Sequence, residues 1–314
     1  LSAQVLWGLG YTFTSGATQA WIADEMGAER AGEVFLRGSQ AARIGALVAI
    51  PLSVVLGTVN IRLPIIAGGV LMVLLAAFLA VTMTEKGFAP TPPEKRTTWA
   101  MMLKTLRSAR ELVHRQPVLL LLLAIGLFFG LYSESLDRLW TAHLLEDFDL
   151  PFAADVDPVV WFGVIRGVSL LISIAATEVA RRRIDTHHPV SIARALILFA
   201  AMIVGALAGF GLTRTFWIAV VLLWLVGMAR SVTGPLQTAW FNLRIDDRQV
   251  RATMFSVTSQ VDAIGQITGG PVVGAIGNVS IRAALVASAF LLSPVIPLYA
   301  FASKYGERGA RRMS

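Results

Sequence analysis

Cysteine is absent from this chain of 314 residues, so disulfide bonds, thiolate catalysis and cysteine-ligated metals are excluded. Charged residues are scarce as well: they make up 15% of the chain, against about a quarter in an average soluble domain. Hydrophobic residues account for 55%, and the mean hydropathy is +0.67. This balance excludes an ordinary soluble domain and predicts a membrane protein.

The apolar residues come in runs of about twenty, which is the length that a helix needs to cross about 30 Å of hydrocarbon. We predict nine such spans, at 1–22, 39–58, 63–84, 117–139, 159–180, 190–212, 215–240, 252–276 and 281–303. Helices satisfy their own backbone hydrogen bonds in a lipid bilayer. The predicted fold class is therefore an all-α, polytopic membrane bundle.

One long polar interval, 85–116, separates the third span from the fourth. It is rich in Lys and Arg, and connecting segments with an excess of these residues stay on the cytoplasmic side. The other segments that this topology places inside are also basic, at 23–43, 181–194, 242–251 and 304–314. Topology thus accounts for the net charge of +7, and no nucleic-acid partner is expected. We predict a multi-pass protein of a cell (inner) membrane with a cytoplasmic C-terminus.

The same interval divides the predicted domains. An incomplete three-helix bundle at 1–84 precedes the linker 85–116, a six-helix bundle occupies 117–303, and 304–314 forms a tail. The proline-rich start of the linker is not helical, whereas the spacing of its later apolar residues predicts an amphipathic helix at the inner membrane surface. Two interpretations of that helix stay open, a solvated linker and a regulatory latch.

An internal repeat relates the early spans to the late ones. At an offset of 219 residues Trp21 matches Trp240, and at an offset of 220 Gln40 and Pro51 match Gln260 and Pro271. This register maps the first span onto the seventh, so the period is six helices and both copies share one orientation. Because the first copy has only three helices, we expect three more to precede the first residue.

Two parallel six-helix halves joined by a basic loop are the architecture of major facilitator superfamily transporters. The run LWGLGYTFTSGATQAWIADEMGAERAG resembles the fourth helix and following inner loop of bacterial members, and RATMFSVTSQVDAIGQITGGPVVGAIG resembles their eleventh helix. The resemblance covers the whole chain, as nine of an expected twelve helices. It implies a secondary transporter that moves a small-molecule substrate by alternating access. The family's drug-antiport motif is present only in degraded form, so it does not settle the direction of transport.

Charged residues inside spans are costly and mark functional sites by default. Glu134 and Arg166 both lie roughly 7–10 Å from the outer end of their spans, at a depth where they can pair. Asp137 and Arg138 lie closer to that end and are interpreted as structural. Each of the four belongs to the fourth or the fifth span.

Arg230 and Asp262 both lie at about 15 Å, the middle of the bilayer. Two interpretations of a pair between them stay open: a salt bridge that fixes helix register, or a site for a proton or a substrate charge. Polar and aromatic residues at similar depth are candidates to line the same cavity, namely Tyr11, Gln19, Tyr132, Trp224 and Gln237.

No nucleophile with a base and no His-Glu metal spacing is found, so neither an enzyme nor a metal site is expected. No nucleotide-binding motif is found either, so no cofactor is expected and an ion gradient, of H+ first, is the predicted driving force. Three glycine pairs have the four-residue spacing that permits close helix contacts: Gly126 with Gly130, Gly205 with Gly209, and Gly265 with Gly269. They predict contacts within the chain rather than a dimer face, which favours a monomer. The leading functional hypothesis is proton-coupled efflux of small amphipathic compounds. Proton symport of a nutrient and an inactive transporter fragment are the alternatives.

Overall fold

The computed structural model describes residues 5–6, 8–10, 21, 25, 28–83, 117–151, 156–185, 188–244 and 248–303. The chain forms two compact units, Leu1–Thr97 and Thr98–Ser314. All regular structure in the described ranges is helical, which confirms the predicted all-α class. Most of the predicted span 1–22, the linker 85–116 and the tail 304–314 lie outside those ranges.

The first unit contributes two described helices, α1 (Ala28–Val59) and α2 (Leu63–Thr82). The turn between them is closed by the side chain of Asn60, which accepts a hydrogen bond from the backbone of Arg62 at 2.9 Å. A proline in the first turn starts α2, where its missing N–H costs nothing. Helix α2 is apolar throughout and buries none of its residues within the unit, as suits a helix that faces lipid or further helices.

The second unit contributes six helices. They are α3 (Pro117–Glu146), α4 (Pro158–Arg183), α5 (Pro189–Leu212), α6 (Phe216–Arg244), α7 (Arg248–Gly277) and α8 (Ile281–Leu292, with further helix at 295–303). Among the described residues six helices are long and apolar enough to cross a membrane: α2, α3, α4, α5, α6 and the stretch Ile281–Ser303. Helix α7 is as long but carries more polar residues.

Packing in the second unit runs from helix to helix. Helix α4 contacts α6, α6 contacts α5, α5 contacts α8, and α8 contacts both α3 and α7, while α3 packs most extensively on α7. Apolar side chains fill the interior, among them Leu122, Ile203 and Leu292, all without exposed surface. Helix α3 is thus the main packing partner of α7.

The contact between α3 and α7 depends on glycines. A Cβ atom added at Gly130 would lie 2.9 Å from the carbonyl carbon of Asp262, and one added at Gly265 would lie 2.9 Å from the backbone nitrogen of Leu131. The predicted close contact of these glycines within the chain is confirmed. The same expectation is wrong for Gly205, which has nothing within 4 Å of an added Cβ.

Two helices are longer than the hydropathy pattern predicted. Helix α1 begins at Ala28 rather than at 39, and α3 continues past 139 to Glu146. The extension of α3 is stabilised by burial, since His143 and Leu144 have no exposed surface. Hydropathy marks where a helix leaves hydrocarbon, whereas packing decides where it ends. Residues near position 139 are therefore not at the end of α3.

Candidate functional site

An ion pair between α3 and α6 lies at the centre of the candidate site. Arg230 donates to both carboxylate oxygens of Asp137, at 2.6 and 3.0 Å, in the bidentate geometry that makes such pairs strong. Its guanidinium also lies 5.7 Å from the ring centroid of Tyr132, a cation–π contact. Arg230 therefore has one anionic and one aromatic partner, both on α3.

This pairing corrects the sequence-based prediction that Arg230 pairs with Asp262. Because α3 continues to Glu146, Asp137 lies about 14 Å from the helix end instead of close to it. Its carboxylate reaches the guanidinium of Arg230 on α6 directly. Asp262 instead accepts a hydrogen bond from Gln266, one turn along α7, at 2.8 Å. In the described part of the chain Asp262 forms no ion pair.

Asp262 and Arg230 nevertheless face one cavity of about 290 Å³, which we call the carboxylate cavity. Helices α3, α6 and α7 supply its lining: Phe129, Tyr132, Ser133, Glu134, Asp137, Arg230, Thr233, Gly234, Gln237, Asp262 and Gln266. It holds three carboxylates and one guanidinium. Five of the nine predicted site residues meet here, namely Tyr132, Glu134, Arg230, Gln237 and Asp262.

A second cavity of about 160 Å³, which we call the arginine cavity, lies between α3, α4 and α6. Its lining is Leu136, Asp137, Trp140, Ile165, Arg166, Ser169, Leu223, Gly227 and Arg230. Asp137 and Arg230 belong to both cavities, so their ion pair forms a shared wall. One side of this wall is rich in carboxylates, and the other carries a second arginine.

The predicted pairing of Glu134 with Arg166 is wrong. Glu134 forms an ion pair with Arg138 on its own helix, whereas the guanidinium of Arg166 lies 5.6 Å from the ring centroid of Trp140. The two residues line different cavities, because α4 packs on α6 and Glu134 lies on the face of α3 near α7. Equal depth was therefore not enough to bring them together.

Three other predicted residues lie elsewhere. The indole N–H of Trp224 donates to the carbonyl of Ile165 at 3.0 Å and so ties α6 to α4, and Trp224 lies outside the described linings of both cavities. Its observed role is structural. Tyr11 and Gln19 lie outside the described residues.

Sequence reasoning missed Asp137 as a site residue. A signal for it was present, because Gly126, Gly130, Ser133, Glu134 and Asp137 recur at the three- and four-residue spacing of one helix face. The glycines of this face allow α7 to approach, and its polar residues then line the cavity. If the glycines and the polar residues had been interpreted as one helix face, Asp137 would have been predicted to lie near Arg230 and Asp262.

A separate polar cluster links the end of α3 to the start of α8. Asp147 accepts a hydrogen bond from Arg282 at 2.8 Å and lies 2.7 Å from the ring of His143, whose other nitrogen donates to the carbonyl of Phe210. Partial burial raises the pKa of Asp147, but the hydrogen bonds from Arg282 and His143 outweigh it and hold that pKa below its usual value. The cluster joins the end of α3 to the start of α8 and, through Phe210, to the end of α5.

These features define a class of protein: a multi-pass helical membrane protein with polar cavities among its helices. Comparison of sequences then gives the family. A sequence profile of the Major Facilitator Superfamily matches residues 1–270. The protein of Bacillus subtilis (strain 168) named "Uncharacterized MFS-type transporter YxaM" is 22% identical over 305 residues, covering 96% of this chain and 73% of that protein. The chain belongs to the Major Facilitator Superfamily and is a membrane transporter.

Proposed function

We propose that this transporter exports small amphipathic compounds in exchange for protons and works by alternating access. The observation that carries the proton coupling is the position of Asp262. It lies in the carboxylate cavity beside Arg230, and its hydrogen-bond partner is the uncharged Gln266. Such a carboxylate can bind and release a proton without the loss of an ion pair. Secondary transporters place their substrate and coupling-ion sites near the middle of the bilayer.

Arg230 gives the protonation of Asp262 its dependence on conformation. The two residues are on α6 and α7, and Arg230 is held on the wall of the cavity by Asp137. A positive charge that moves closer to a carboxylate favours its ionised form, and one that moves away favours proton uptake. Rocking of α6 relative to α7 would thus change the affinity of Asp262 for a proton during each transport cycle.

Two features of the carboxylate cavity favour exchange over co-transport. Its wall combines the rings of Phe129 and Tyr132 with hydrogen-bonding groups, as an amphipathic compound requires. Asp262 opens into the same space, so that a bound compound and a proton can exclude each other. Mutual exclusion at one site is the condition for antiport.

The second candidate function is proton-coupled uptake of a small nutrient. It is favoured by the arginine cavity, where Arg166 and Arg230 can hold an anionic substrate while a proton occupies the carboxylate cavity. Binding at two separate places is the condition for symport. The two candidates therefore differ in whether substrate and proton compete.

The proposed setting follows from the distribution of charge. The basic linker 85–116 and the basic tail 304–314 lie on the cytoplasmic side of a cell (inner) membrane, according to the positive-inside rule. The glycines that permit close helix approach are used between α3 and α7 of one chain. This use is consistent with a monomer.

Transport by the full-length protein in proteoliposomes tests the proposal. Ethidium is the probe, and an imposed pH gradient is the only energy source. Exchange predicts that ethidium moves against the direction of proton flow and that a high proton concentration on the substrate side inhibits its binding. Movement of a probe in the same direction as protons would support symport instead. Absence of any gradient-dependent movement for cationic, neutral and anionic probes would contradict both.

A further inference from the structure

The arginine cavity carries positive charge that the protein does not neutralise. Arg166 and Arg230 face it, and Asp137 is the one carboxylate in its lining. Asp137 is engaged by both terminal nitrogens of Arg230, which leaves Arg166 without a carboxylate in the described part of the chain. The lining therefore has a formal excess of one positive charge.

Arg166 lies deep enough for this excess to matter. Its helix α4 begins at Pro158, so Arg166 lies about 12 Å along the helix from its outer end. A charged side chain at such a depth is rare, and it normally pairs with another group or serves a transported ligand. The face of Trp140 stabilises the guanidinium only in part, because a cation–π contact is weaker than a hydrogen-bonded ion pair.

The rest of the lining favours an organic ligand with a polar end. Trp140, Leu136 and Leu223 form an apolar side, and Ser169 adds a hydroxyl next to the two guanidinium groups. The guanidinium group matches a carboxylate with two parallel hydrogen bonds. Arg230 uses two of its five donors on Asp137 and keeps three. A ligand carboxylate can thus bind without displacing Asp137.

We propose that the arginine cavity binds the carboxylate of a compact amphipathic monoanion, with Arg166 as the main donor and Arg230 as the second. A monoanion fits better than a phosphate dianion, because the excess charge of the lining is one. The aromatic or aliphatic part of the ligand lies against Trp140. This inference rests on the proposed function as a transporter. Because it places the ligand outside the carboxylate cavity, it agrees with the second candidate, uptake by symport.

Equilibrium binding tests this inference without any gradient. Titration calorimetry on the purified full-length protein compares benzoate with benzamide, its neutral isostere, and with benzylamine, a cation of similar size. We expect benzoate to bind at least tenfold more tightly than benzamide, and benzylamine not to bind at this site. Equal affinity for benzoate and benzamide, or no binding of benzoate, would overturn the proposal.

Substitution then locates the binding site. Arg166→Gln should weaken benzoate binding at least tenfold, whereas Arg182→Gln, on the same helix but outside the cavity lining, should leave it unchanged. Arg166→Met replaces the first variant if that one does not remain monodisperse. Unchanged benzoate affinity in a folded Arg166 variant would refute the assignment.

The two proposals can fail separately. Selective benzoate binding in a protein that moves no protons would support the anion site and contradict proton coupling. Proton-driven export of ethidium by a protein that does not discriminate benzoate from benzamide would support proton coupling and contradict the anion site.

Discussion

The substitution Gly130→Ala tests how closely α3 and α7 pack beside Asp262. The new methyl group would lie 2.9 Å from the carbonyl carbon of Asp262 and 3.0 Å from the backbone nitrogen of Gln266. Its nearest neighbour would be the carbonyl oxygen of Asp262, which it would overlap. Because non-bonded heavy atoms prefer separations of about 3.5–4.0 Å, the two helices must move apart by more than about 1 Å. Backbone atoms cannot avoid the clash by rotating a side chain. Overpacking of this kind costs about 1–3 kcal/mol.

Thermal unfolding of the purified protein measures this cost. At about 2–4 °C per kcal/mol, Gly130→Ala should lower Tm by about 2–12 °C. The matched control is Gly205→Ala on α5, where an added Cβ meets nothing within 4 Å. In an open helical position alanine gains about 0.5–1 kcal/mol over glycine, so the control should keep or raise Tm. The reasoning is refuted if Gly130→Ala is as stable as the control.

Three further substitutions test other parts of the account. Arg230→Met alone leaves Asp137 unpaired. We therefore expect this variant to have a lower Tm than the double variant Arg230→Met with Asp137→Leu. A lower Tm in the double variant would contradict the pairing. Asp147→Asn removes a carboxylate whose pKa is lowered by Arg282, so it should destabilise the protein at neutral pH, and its deficit should shrink as the pH falls below 3.8, where the native carboxylate becomes protonated. A deficit that is independent of pH would contradict this linkage. Ala100→Cys should react with a membrane-impermeant maleimide only in inside-out vesicles; labelling from outside intact cells would reverse the topology.

The helices of the second unit could be predicted closely from the sequence where proline marks their start. Helices α4 and α5 begin at Pro158 and Pro189, within one residue of the predicted 159 and 190. The class of fold and the close contact at Gly130 also followed from pattern alone. Each of these depends on a local property, either the length of an apolar run or the absence of a side chain.

Partners across helices could not be predicted in the same way. Arg230 and Asp262 were assigned equal depths, and both do face the carboxylate cavity. The partner of Arg230 was nevertheless missed, because the predicted span ended at 139 and Asp137 was therefore interpreted as a residue near the membrane surface, whereas α3 continues to Glu146. Depth along an axis follows from counting residues. Rotation about the axis is set by packing, which a single sequence does not display.

Proton movement during transport by Asp262→Asn tests the central claim most directly. In proteoliposomes the variant should still exchange labelled for unlabelled substrate, because exchange requires no net release of a proton. It should lose both gradient-driven transport and the substrate-induced change in internal pH, reported by a pH-sensitive dye. Asp149→Asn, an exposed carboxylate outside the described cavity linings, should retain all three activities. If Asp262→Asn still couples substrate movement to protons at the native ratio, Asp262 is not the proton carrier.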